Sequence, residues 1–144
     1  MISVEPLGRL VPGPAAAGVS CLAANNNLDL VRFAGRLWFA WRTAPSHFAS
    51  ADARIEVSSA PGPDGPWRHE TTVALGADVR EPRWVVAGDR LQLWFLRLGT
   101  DPKRFQPSGV HRTTTDGTTW TDPVCMFPDG VVPWRIRRLR GRWA

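Results

Sequence analysis

Asp29 and Glu81 are the carboxylates of this 144-residue chain whose positions best suit acid–base chemistry. Each stands near the start of a short apolar run, Leu28 to Ala34 and Arg83 to Ala87. Two carboxyl groups brought to one site can protonate a leaving glycosidic oxygen and supply the nucleophile or base. Guanidinium groups fall close by in the sequence: Arg42, Arg80, Arg83, Arg135 and Arg137. An Arg fork binds a carboxylate through two parallel hydrogen bonds, so Arg80 or Arg83 and Arg135 or Arg137 are expected to hold an anionic group. Arg42 and His47 are expected as further substrate contacts. Trp41 offers either a stacking face or a core anchor. The plainer reading of Asp29 and Glu81 is that backbone N–H groups, or Arg80 and Arg83, satisfy them.

The elements that must position these residues are set by turns. Thr113 to Trp120 reads Thr-Thr-Thr-Asp-Gly-Thr-Thr-Trp. Asp-Gly between β-prone residues is a hairpin signal, because Gly takes positive φ without steric cost and Asp bonds nearby backbone. A related run, Ser58 to Trp67, places Asp64 52 residues before Asp116 and Trp67 53 before Trp120. Gly35, Gly88 and Gly141 are also spaced by 53. Several short strands per unit at such a period indicate propeller blades. In that topology the loops before the first strand and after the second of each blade share one face, where ligands bind. This face is expected to collect Asn25 to Asp29, Arg42 to Asp52, Asp78 to Arg83, Gly99 to Ser108 and Pro133 to Arg137, and Asp29 and Glu81 to point into a shared channel.

The predicted fold is all-β and propeller-like, about two and a half four-stranded blades. Residues 1–24 form a lead-in segment, with an outer strand expected at Val4 to Leu10. Blades follow at 25–77 and 78–130, with a partial one at 131–144. Five or six blades of this size need roughly 265 to 320 residues, so the chain reads as a fragment or as a protein completed by association. Open blade edges are expected to pair with further copies in a homo-oligomer.

Composition narrows the partners. Hydrophobic residues make up 43% and eight Trp supply core or binding surface, which argues against disorder. The net charge of +5 permits acidic partners. Five of the eight residues from Arg135 to Arg142 are Arg, read as a strand whose partners are missing rather than as a nucleic-acid patch. Cys21 and Cys125 lack metal or redox spacing, so reduced thiols, no metal and no cofactor are expected. No signal peptide and no apolar run of membrane-spanning length is visible. The cytoplasm is the default compartment, with secretion open if the true beginning is missing.

Thr114 to Trp120 resembles the Asp-box of the sialidase superfamily, with Thr for Ser and one residue fewer between Asp and Trp. Asp64-Gly65-Pro66-Trp67 also resembles the Gly-Pro-Trp turns of five-bladed glycosidases related to arabinanases and fructosidases. The resemblance implies a propeller from a carbohydrate-active protein, a sialidase-like glycoside hydrolase in full-length or assembled form. The alternative is a noncatalytic sugar- or protein-binding segment. It also implies that Asp64 and Asp116 are folding residues remote from the site. Sialidases hold an acidic sugar with three Arg and use a Tyr nucleophile. Trp134-Arg135-Ile136-Arg137 echoes their Arg motif only in part, and the chain has no Tyr.

Overall fold

Two tight turns start the two repeats. The computed structural model describes residues 8–136 and the backbone of 138–139 and 142–143. Ala34 and Gly35 both take positive φ (48° and 73°), the turn geometry whose twist matches flanking strands; at the second turn Gly88 takes it (65°) and Asp89 does not. Phe33 pairs with Arg36 and Ala87 with Arg90, so the hairpins repeat at an offset of 54. The Gly35-to-Gly88 spacing of 53 therefore matches different positions of the two turns.

Strands β1 (Ala24–Phe33), β2 (Arg36–Ala44), β3 (Arg54–Ala60) and β4 (Arg68–Val73) form one antiparallel sheet in that order. Strands β5 (Val79–Ala87), β6 (Arg90–Leu98), β7 (Pro107–Thr115) and β8 (Val124–Phe127) repeat it. Both are propeller-like blades, and no closed ring is formed among the described residues. After them β9 (Arg138–Leu139) and β10 (Arg142–Trp143) pair as a short antiparallel ribbon. Arg137 and most of the expected outer strand at Val4 to Leu10 lie outside the described residues; its described end, Gly8 to Leu10, is not strand. No helix among the described residues is long and apolar enough to cross a membrane.

Alternating strand residues face opposite ways, and this pattern stacks the sheets. Trp38, Ala40, Ile55 and Val57 of the first sheet pack against Val79, Leu91, Leu93 and Phe95 of the second. Leu91, Leu93 and Phe95 are the offset-54 counterparts of Leu37, Phe39 and Trp41. On the first sheet that backward face is covered by the lead-in segment, through Leu10, Val11, Ala15, Ala16, Val19 and Cys21. Each sheet thus turns one face back and one forward, as stacked blades do. The forward face of the second sheet is only partly covered, leaving Val124 and Phe127 exposed.

The Asp-Gly turns lie at the end opposite the loops of the expected site. Asp116 accepts from Thr118 Oγ1 at 2.7 Å and from the backbone N–H groups of Thr118 and Thr119 at 2.9 and 3.1 Å. The Thr118 hydroxyl, then the two backbone donors, hold its carboxyl well below the usual carboxylate range. A depressed folded-state pKa stabilises above the unfolded value near 4, and that contribution is lost as pH falls. Asp116→Ala should therefore lower the melting temperature at neutral pH and remove part of its decline on acidification. Equal decline in both proteins would show that the carboxylate does not cap the turn. Asp64 is exposed, and its turn is closed instead by Trp67 Nε1 donating to the Pro63 carbonyl at 3.1 Å.

Candidate functional site

β1 and β5 lie side by side, and each carries a bulge near its start, between Asn26 and Leu28 and between Arg80 and Arg83. The extra residues are Asn27 (φ 46°) and Glu81 (φ 54°), left-handed conformations that β-strands rarely hold outside glycine. They are 54 residues apart, so Glu81 is the counterpart of Asn27, and Asp29 is the counterpart of Arg83. Asp29 and Glu81, expected at nearly equivalent positions, are therefore two residues out of step in the repeat.

Both carboxylates bind across the strand pair. Asn27 Nδ2 donates to Glu81 Oε1 at 2.5 Å, and Arg83 Nη2 donates to Glu81 Oε2 at 2.7 Å. Asp29 Oδ1 accepts from the Leu30 N–H at 3.0 Å, and its Oδ2 from the Trp84 N–H at 2.7 Å. Trp84 Nε1 in turn donates to the Asp29 carbonyl at 3.2 Å. All four carboxylate oxygens are engaged within the protein.

Arg42, expected as a substrate contact, is enclosed at 0% exposure. Its Nε donates to Asp78 Oδ1 at 2.9 Å, and Asp78 is equally buried. Nη1 reaches the Ser46 carbonyl at 3.2 Å, and Nη2 the Phe48 carbonyl at 3.0 Å. Burial pushes the Arg42 pKa down, and the bond to Asp78 opposes that shift. Arg80 also donates to Asp78, through Oδ2, and to the His47 carbonyl at 3.3 Å. His47 is exposed, with Nδ1 3.4 Å from Asn26 Nδ2. Trp41 is fully buried and packs on Phe39, so it serves the core.

A groove of about 600 Å³ runs beside this network, lined by Leu28 to Val31, Arg83, Trp84 and Trp134 to Ile136. Arg83 Nε donates to the Trp134 carbonyl at 3.0 Å and draws that segment to the groove. Trp134 is 72% exposed, and Arg135 is exposed beside it. The structure thus gathers Asp29, Arg83 and Arg135 around one groove, with Glu81 behind Arg83, and Arg42, His47 and Arg80 around Asp78. Sequence spacing puts Asn27 and Trp134 on the expected face but gives neither the Asn27 bond to Glu81 nor the exposure of the Trp134 ring. Among the described residues no group of three His, Cys, Asp or Glu side chains converges on a metal position. No family model, curated protein or solved structure matches the chain.

Proposed function

We propose that the chain is a propeller segment that binds carbohydrate without cleaving it, taking an anionic sugar in the groove between β1, β5 and Trp134 to Ile136. The observation that carries this reading is the contrast between the groove and the carboxylates at and beside it. Every oxygen of Asp29 and Glu81 already accepts a hydrogen bond, whereas the Trp134 ring and the Arg135 guanidinium stand open to solvent. Freeing Asp29 for proton transfer would strand the Trp84 N–H, a loss of about 1–3 kcal/mol for a buried donor, and would loosen the β1–β5 pair. An indole face instead receives the C–H face of a sugar ring, and a guanidinium receives its carboxylate.

Calorimetric titration of the chain with glucuronate and with glucose tests this. Glucuronate should bind more tightly by about tenfold, one charge-assisted hydrogen bond's worth. Trp134→Ala and Arg135→Ala should each weaken it comparably while leaving thermal unfolding unchanged. Cleavage of a glycoside that Asp29→Asn or Glu81→Gln abolishes would replace this reading with the hydrolase implied by the Asp-box resemblance. No binding of either sugar would remove the groove as a sugar site.

A further inference from the structure

A second cleft, of about 240 Å³, lies between the β2–β3 loop and the β6–β7 loop, away from the groove. Its walls carry Phe48 and Phe105, each 61% exposed, and its rim carries His47, Arg80, Lys103 and Arg104. Exposed aromatic rings on loops ordinarily sample several positions. Here the backbone beneath Phe48 is fixed, because Arg42 holds the carbonyls of Ser46 and Phe48 while Arg80 holds that of His47. Both guanidinium groups are anchored on the buried Asp78.

The opposite wall is tied to the same residue. The Leu98 N–H donates to the Asp78 carbonyl at 2.7 Å, and the Gly99 N–H closes the loop on the Gln106 carbonyl at 3.0 Å. Within that loop Lys103 N–H donates to Asp101 Oδ1 at 2.9 Å. The backbone of both aromatic walls is held from one buried residue, the first through the Asp78 carboxylate and the second through its main-chain carbonyl, and such preorganisation lowers the ordering cost of binding.

We propose that this cleft is a nucleotide site, with the base against Phe48 and Phe105 and the phosphate at Arg80, Lys103 and Arg104. The lining itself supplies rings and donors; the carboxylates nearby, Asp78 beneath Arg80 and Asp101 at 3.6 Å from Arg104, lie outside it and are already engaged by those cations. A sugar's hydroxyl protons need free acceptors; a base face and a phosphate do not. The cationic rim complements the phosphate charge. The proposal stands apart from the carbohydrate reading, since the groove shares none of these residues. A free nucleotide and one within a single strand offer the same base and phosphate.

The full chain titrated with AMP and with a short oligothymidylate, at low and raised salt, tests it. Binding of AMP assigns the cleft to free nucleotides; binding of the oligonucleotide alone assigns it to single strands. Phe48→Ala and Phe105→Ala should each weaken binding by about 5- to 150-fold, the range of base–aromatic stacking, with unchanged thermal unfolding because both rings are exposed. Lys103→Gln should flatten the salt dependence. The proposal is overturned if neither probe binds, if both Phe variants bind like the parent chain, or if glucuronate displaces the probe as readily as AMP does.

Discussion

Asp78→Ala is expected to destabilise the fold by about 3–5 kcal/mol, the cost of leaving one member of a buried ion pair uncompensated. Arg42 and Asp78 are both fully enclosed, so water cannot replace the lost carboxylate without opening the interface between the two sheets. A domain of this size is commonly stable by only about 5–15 kcal/mol, and the loss would remove a large share. Arg42→Met combined with Asp78→Leu should recover much of it, because neither charge then has to be desolvated. The recovery separates two roles of the pair. Stability should return in urea unfolding, but the carbonyls of Ser46 and Phe48 would lack their guanidinium and nucleotide binding at the Phe48 cleft should stay weak. A single variant that loses under about 1 kcal/mol, as at a hydrated surface pair, would show that water reaches Asp78.

Trp38→Ala carries the other large effect, about 3–5 kcal/mol for deleting a buried indole. Trp38 is 1% exposed and meets Phe33, Trp84 and Trp120 with ring centroids 6.1 to 6.4 Å apart. Its Nε1 also donates to the Phe33 carbonyl at 3.2 Å. Because Trp84 and Trp120 belong to the second repeat, the cavity opens between the sheets rather than within one. Urea unfolding of the variant should therefore show a lower midpoint and a shallower, less cooperative transition. A lower midpoint with unchanged slope would place the damage inside the first sheet alone.

The strands were legible because turn chemistry and short β-branched or aromatic runs are local properties. Asp116 was readable as a turn residue for the same reason: the Thr residues that cap it are within three positions. The Gly35-to-Gly88 spacing misled by one residue, since Gly suits either position of a tight turn and only the pairing of Phe33 and Ala87 shows which it takes. The candidate site was legible as a face, not as a set of roles. Arg42 and Arg135 look alike in sequence, yet the register of β2 seals the first against Asp78 while the second lies outside any strand, exposed on the groove. Asn27 and Glu81 gave no signal for their bulges, which arise where two inner strands start beside each other. Phe48 and Phe105 have no periodic partner, and their shared cleft depends on two loops meeting over Asp78.

The lead-in segment over Phe39, Trp41 and Trp67 gives the stack a polarity. Residues from Leu10 to Cys21 already occupy the place a preceding blade would need. At the other end the forward face of the second sheet still shows Val124 and Phe127. Tandem duplication of such a unit is therefore vectorial: a new copy set after β8 meets a face that residues 131–136 cover only in part, whereas one set before β1 must first evict the segment that stands there. An architecture built on repeats thus carries a heading, fixed by a stretch that is not itself a repeat.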